Sequence, residues 1–392
     1  VNGNPTKTAT GQVSVLALEV PQILAPCLHH IPEAVDNAET LARRPHIHAL
    51  TSDEPGDVLR LRALIYDYIR TYFISSGFLE VETPTFDVTA GGAIARPFET
   101  VANEMSNTPI RLRIAPELNL KRLIIGGQDK IFEIGRAFRN EGVDNTHNPE
   151  FSTCEFYEVG ATLPDVIART EQLVHGLHTA VEALRSTYFP TLVAPEVDFS
   201  GPFAQLPFIP TIEKASGRKL PDLLSSSAST EILNMFKELD ISVPPNPTLP
   251  RLLDTLAEQY IEPLCVNPTF ITHHPEALSP LSKSYVDPAT SQRVASRVEL
   301  FINSREYVNA YEEENSPFEQ RRKFLQQQDF HAEGQGTIDE SYLEALEWGM
   351  PPTGGWGCGL DRLVMLFASK KRIADVLPFG TLRNVVSIAK NK

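Results

Sequence analysis

Two short runs in which apolar and polar residues alternate, Ile131-Phe132-Glu133-Ile134-Gly135 and Thr153-Cys154-Glu155-Phe156-Tyr157, restrict the fold of this chain more than any other feature. A period of two marks a half-buried strand, so the segment reads as two antiparallel strands joined by a long loop. On the second strand Cys154 and Phe156 should face a core, while Thr153, Glu155 and Tyr157 share the other face and line a cleft. Loop and strand also carry Arg139, Phe151 and five carboxylates, Glu141, Asp144, Glu150, Glu155 and Glu158. So many ionisable groups beside apolar strands suit a site for a charged nucleotide.

Around this hairpin the patterning is mixed. Apolar residues at Leu61, Leu64, Ile65, Tyr68, Ile69, Tyr72 and Phe73 predict a long helix from Asp57, stopped by Gly77. A short strand, Leu79 to Thr83, ends at Pro84. Helical spacing returns from Leu163 to Leu184, residues 190–250 are rich in Pro and Ser, and candidate short helices follow at Phe236 to Ile241 and Arg251 to Tyr260. Val298 to Ile302 and Tyr307 to Glu313 read as two more strands. A turn at Asn303-Ser304-Arg305 would bring the carboxylates of Glu299 and Glu306 near each other, and two hard oxygen ligands suit Mg2+. By the same period, Asn309, Tyr311 and Glu313 share one face. The expected fold class is α+β, an antiparallel sheet flanked by helices.

Composition narrows the function classes. The 392 residues allow one large domain, and the formal charge of −15 disfavours nucleic-acid binding except through local basic runs such as Arg321-Arg322-Lys323 and Lys370-Lys371-Arg372. The four cysteines lie far apart, which argues against a zinc site and a disulfide framework. With no run of about 18 apolar residues and no basic-plus-apolar start, the expectation is a soluble chain without a membrane span.

Three blocks, in order, resemble the class II aminoacyl-tRNA synthetases, and the lysine-specific branch among them. They are Arg113-Ile114-Ala115-Pro116-Glu117-Leu118; Phe138 to Tyr157, similar to motif 2; and Gly354-Gly355-Trp356-Gly357-Cys358-Gly359-Leu360-Asp361-Arg362, similar to motif 3. The helix and strand ending at Pro84 resemble motif 1, which implies a homodimer interface. Pro45, Pro55 and Gly56 break a stretch of mixed polarity, so 36–57 reads as a linker. The resemblance implies a catalytic domain over 58–392 with an insertion at about 185–260, and in 1–35 the last strand, Val13 to Val20, of an anticodon-binding barrel whose earlier strands are missing. It also implies ATP and Mg2+ as cofactors, L-lysine and tRNA(Lys) as substrates, and lysyl-adenylate as intermediate. The altered ending Leu377-Pro378-Phe379 points to a fungal organellar form and a mitochondrial location, with the cytoplasm as alternative. Two other readings share the chemistry or the fold: a barrel-less paralogue that aminoacylates a protein, and a non-catalytic binding protein.

Residue roles follow from the same resemblance. Arg139 would bridge the α-phosphate and the attacking carboxylate, as a bidentate guanidinium can, and Arg362 would hold the γ-phosphate. Glu141 would read the adenine amino group, His147 and Asn148 would flank the nucleotide, and Phe151 would stack on the base. Glu299 and Glu306 would bind the metal. An ammonium side chain needs buried carboxylates with hydrogen-bonding neighbours, and Glu155, Tyr157, Asn309, Tyr311 and Glu313 supply them, with Glu117 for the α-amino group and Gly92 for a backbone contact.

Overall fold

The two alternating runs become the longest strands of an eight-stranded sheet. The structure, a computed structural model, describes residues 1–35, 37, 41, 43–88, 95–105, 108–328 and 338–389. These divide into two compact units, Val1–Ser52 and Asp53–Lys392.

In the first unit β1 (Gly3–Lys7) and β2 (Val13–Ala17) form an antiparallel hairpin, turned through Gly11 at φ 83°. The predicted strand is therefore shorter than Val13 to Val20 and is one of a pair rather than a lone remnant. The predicted linker is also corrected. Residues 45–51 form helix α1 (Pro45–Thr51), and α2 (Glu54–Ser75) begins inside the 36–57 range, one turn before Asp57. Pro45 and Pro55, read as breakers, each sit in the first turn of a helix, where a missing N–H costs nothing.

In the second unit, β3 (Leu79–Glu80) runs parallel to β7 (Lys130–Phe138) at one edge of the large sheet. Three short strands, β4 (Phe86–Asp87), β5 (Glu99–Thr100) and β6 (Ile110–Leu112), form a separate sheet before helix α3 (Glu117–Ile125). From β7 the large sheet continues antiparallel through β8 (Glu150–Val159) to β15 (Thr353–Gly359), then β14 (Arg305–Glu312), β13 (Arg297–Ile302) and β10 (Thr269–Thr272). β9 (Ala204–Pro207) closes the other edge in parallel, and β11 (Ser284–Val286) and β12 (Arg293–Ala295) form a separate antiparallel pair. The sheet is therefore mixed, with an antiparallel middle and a parallel pair at each end.

One face is covered by α2, α4 (Leu163–Tyr188) and the helix that follows β15, Leu360–Phe367. Leu61, Ile65, Ile69 and Phe73 of α2 are fully buried, as their spacing of four residues along one helix face requires. Phe73 meets the rings of Phe132, Phe156 and Trp356 at 5.2–5.8 Å. Cys154 and Phe156 point into this core, so Glu155 and Tyr157 lie on the opposite face. The insertion folds on its own apolar cluster, built by α5 (Phe208–Ser216), α6 (Ala228–Glu238) and α7 (Leu249–Tyr260), and packs on Ile271 and Phe301 at the sheet edge. Among the described residues no helix is long and apolar enough to cross a membrane.

Candidate active site

The face of the sheet away from α2 carries nearly every site residue singled out in the sequence. Pairing is what gathers them: Glu155 lies opposite Gly357 and Gly357 opposite Asn309, while Tyr157 lies opposite Gly355 and Gly355 opposite Tyr311. The glycine strand thus separates two rows of polar side chains without side chains of its own. A Cβ at Gly355 would overlap Glu313 Oε1 and lie 2.9 Å from the Tyr157 ring, whereas at Gly357 its nearest neighbour would be Glu155 Cγ at 3.6 Å. Gly355 is therefore filled by the protein, whereas a methyl at Gly357 would make only ordinary van der Waals contact.

At one end the carboxylates meet a residue that the sequence reading missed. Lys121 of α3 is completely buried, with Nζ 2.6 Å from Glu117 Oε1 and paired to Glu313 Oε2. Tyr311 donates its hydroxyl to the same Glu117 oxygen at 2.6 Å. Burial alone would strip the Lys121 proton, but Glu117 and Glu313 hold the ammonium well above the usual lysine range. Glu313 is fully buried, and its Oε1 has no hydrogen-bond partner among the described residues. Glu155 accepts from the Tyr157 hydroxyl at 3.2 Å. Burial, reinforced by the Glu117 carboxylate, pushes Glu155 up to about 8. The spacing of Glu117 and Lys121 is the helical i, i+4 pair, a signal that could have revealed Lys121.

The other end is organised around three arginines. Arg139 leaves β7 at the hairpin loop, where its N–H donates to Pro149 O at 2.8 Å. Its guanidinium lies 5.1 Å from the centre of the half-buried Phe151 ring and has no carboxylate partner among the described residues, so it is available to an anion. Arg362, in the helix after the glycine strand, donates to His147 Nε2 at 2.9 Å and to Glu306 Oε2 at 3.3 Å. His147 Nδ1 meets Asp144 at 2.8 Å, which fits a tautomer protonated on Nδ1. Slight burial of Asp144 is outweighed by hydrogen bonds from Thr146 and His147, which bring its carboxyl down to about 2. Asn148 accepts from Leu382 N at 2.9 Å, and Glu141 is exposed at the loop. Gly92 lies outside the described residues.

Arg297, the third, was not foreseen. It donates to Asn309 Oδ1 at 2.8 Å and pairs with Glu299, whose second oxygen meets His274 Nε2 at 2.9 Å. The turn between β13 and β14 places Asn303 and Ser304 at φ 50° and 56°, and a bulge after Leu300 sets Glu306 opposite Phe301. Glu299 and Glu306 therefore share the site face and the field of Arg297. Beneath them α7 and the turn after it add Asp254, Glu258 and Glu262. Burial, then their mutual repulsion, push Glu262 up to about 7, and burial, despite Arg297, raises Asp254 to about 6. No group of three or more metal-ligating side chains stands close enough to cage an ion among the described residues.

The basic run 321–323 is not a free cationic patch. Arg321 pairs with Glu340, Arg322 with Glu276 and Glu319, and Lys323 is buried against Glu314. Alternate charges on neighbouring elements, invisible along the chain, neutralise it. In the second run Lys370 pairs with Glu54 and Arg372 with Asp375. The four cysteines are free thiols, three of them buried.

Comparison with known proteins gives this site a family. The profile described as tRNA synthetases class II (D, K and N) matches residues 37–383. A probable cytoplasmic lysine–tRNA ligase of Encephalitozoon cuniculi is 41% identical over 97% of this chain and 76% of its own length. The mitochondrial lysine–tRNA ligase of Schizosaccharomyces pombe is 38% identical over 98% and 72%. A lysine–tRNA ligase of Cladosporium cladosporioides is 38% identical over 97% of this chain, which spans 65% of that relative's length. The chain belongs to the class II tRNA synthetases (D, K and N), and these relatives, aligned over nearly all of it, are lysine–tRNA ligases.

Proposed function

We propose that this chain is the catalytic part of a lysine–tRNA ligase, which activates L-lysine with ATP to lysyl-adenylate and pyrophosphate and then transfers lysine to the 3′ end of tRNA(Lys). The observation that carries this reading is the pair of buried carboxylates, Glu155 and Glu313, on the same sheet face as an arginine without a carboxylate partner, Arg139. A buried carboxylate oxygen without a partner is costly, and an ammonium group satisfies it. Aspartate or asparagine would leave Glu155 and Glu313 facing an anion or an amide.

In this reading the substrate carboxylate is itself the nucleophile, so no general base is needed. Positioning and charge neutralisation lower the barrier. Arg139 holds the carboxylate against the α-phosphate, Phe151 and Glu141 receive the base, and Arg362, braced by Glu306 and His147, receives the terminal phosphate. Asn148 flanks the nucleotide, and Asn309, Tyr157 and Tyr311 line the lysine side chain, with Glu117 at the α-amino group and Gly92 at a backbone contact. Glu299 and Glu306 share the site face, and their two hard carboxylate oxygens fit a hard cation whose remaining ligands would come from phosphate. Glu299 and Glu306 would hold Mg2+, which when bound neutralises phosphate charge.

A homodimer through the α2 region is part of the proposal. Leu59, Ile74, Leu79 and Phe86 are all exposed there, and a second copy would cover them. A mitochondrial location is proposed on the Leu377-Pro378-Phe379 departure, although the relatives include both mitochondrial and cytoplasmic enzymes. Lysine-dependent exchange of pyrophosphate into ATP tests the activity. No exchange with lysine, or faster exchange with aspartate, overturns it.

A further inference from the structure

Lys121 has no part in the activation chemistry described above, yet it occupies the centre of the proposed lysine pocket. Its ammonium is wholly buried among Glu117 of α3, Glu313 after β14, and the rings of Tyr311 and Tyr342 at 5.6 and 5.9 Å. Glu155 and Tyr157 of β8 complete the ionisable groups facing this pocket, and both sense the Glu117 carboxylate. Placing a charge here is expensive unless it is paired, so its presence requires a reason.

Charge counting supplies one. In the lysine-bound pocket, with all groups ionised, Glu117, Glu155 and Glu313 contribute three negative charges and Lys121 one positive, leaving two negative; before binding, burial holds Glu155 at about 8 and Glu313 well above the usual carboxylate range, and Lys121 opposes that rise at Glu313. Lysine brings two ammonium groups, while its carboxylate is taken up by Arg139. We propose that Lys121 is a positioning residue whose buried ammonium, paired to Glu117 and Glu313, sets the pocket charge to match an amino acid bearing two ammonium groups. One Glu313 oxygen is held by Lys121, and the other, over Gly355, is left for the substrate ε-ammonium. An amino acid with an uncharged side chain of equal length, such as norleucine, would leave that oxygen buried and unpaired.

This inference rests on the lysine reading, and its test separates the two. Wild type and Lys121→Met are compared by calorimetry of L-lysine binding in buffers of different ionisation enthalpy, which counts the protons released. In parallel, KM and kcat for lysine in pyrophosphate exchange are followed across pH. Burial already raises Glu313, and without Lys121 to oppose it Glu313 retains its proton to higher pH in the free enzyme and must lose it to bind lysine. The variant should therefore release up to about one more proton per lysine at neutral pH. Its KM should rise while kcat is largely kept, and should recover at alkaline pH, with the acidic limb of kcat/KM displaced upward by about one unit or more. Lys121→Met/Glu117→Gln removes the ammonium together with one carboxylate. Its proton release should return to the wild-type value even though lysine binds more weakly, and this variant serves also if the single substitution fails to fold. Proton counts and pH profiles that superimpose on wild type in Lys121→Met, or that stay displaced in the double variant, overturn the proposal. A wild type that binds norleucine and not lysine would instead overturn the lysine reading itself.

Discussion

Replacing Gly355 with alanine tests whether the glycine strand is shaped by the protein or by its ligand. The added methyl would overlap Glu313 Oε1 and press on the Tyr157 ring at 2.9 Å. The strand cannot retreat, because β8 and β14 are hydrogen-bonded along its two sides at this residue. Only the Glu313 carboxylate can yield, and yielding moves it off Lys121. Overpacking a core costs about 1–3 kcal/mol, and breaking a buried pair outright about 3–5 kcal/mol. A carboxylate pushed partly away should cost about 3 kcal/mol. Gly357→Ala, two residues along the same strand, is the control. Its methyl meets nothing nearer than 3.6 Å, and alanine recovers roughly 0.5 kcal/mol of backbone entropy. Urea unfolding of both variants should show a large fall in midpoint for Gly355→Ala and none for Gly357→Ala, with similar slopes. Substrate KM should instead rise in Gly357→Ala, whose methyl would stand against Glu155 on the site face. Equal stabilities, or a Gly357→Ala protein as weakened as Gly355→Ala, would refute the reasoning.

Arg139→Ala should reduce pyrophosphate exchange by about 10³-fold or more, since it removes the anion's two-pronged partner; an active variant contradicts its role. Because burial raises Glu155 to about 8 and lysine binding needs the ionised form, kcat/KM for lysine should climb with pH and level off near that value. Glu155→Gln should remove the component near that value and leave the limb of Glu313, which burial also raises; an unchanged profile would reassign the group. Glu306→Gln should raise the Mg2+ concentration needed for exchange while leaving lysine binding by calorimetry unchanged; an unaltered Mg2+ titration removes Glu306 from the metal site. Leu59→Glu should convert a dimer to a monomer in light scattering, and a monomeric wild type would end the dimer proposal.

Much of the sheet was legible because its signals are local. Alternation over five residues at 131–135 and 153–157 was enough to place Cys154 and Phe156 in the core, and a helical stripe was enough to bury Leu61, Ile65, Ile69 and Phe73. Boundaries were harder. Pro45 and Pro55 looked like breaks because a linear reading cannot tell a first-turn proline from an interior one. The basic run 321–323 looked available because Glu276, Glu314 and Glu340, its partners, lie on other elements.

The sequence by itself determined the central hairpin, the long helix α2 and which strand residues face the core, since local periodicity travels with the chain. Only the tertiary structure decided the charge balance. Lys121 and Glu313 are far apart in sequence and in direct contact in space, and Arg297 joins Asn309 to Glu299 across two strands. Electrostatic pairing depends on distance in three dimensions and on exclusion of water, and neither quantity is written along the chain.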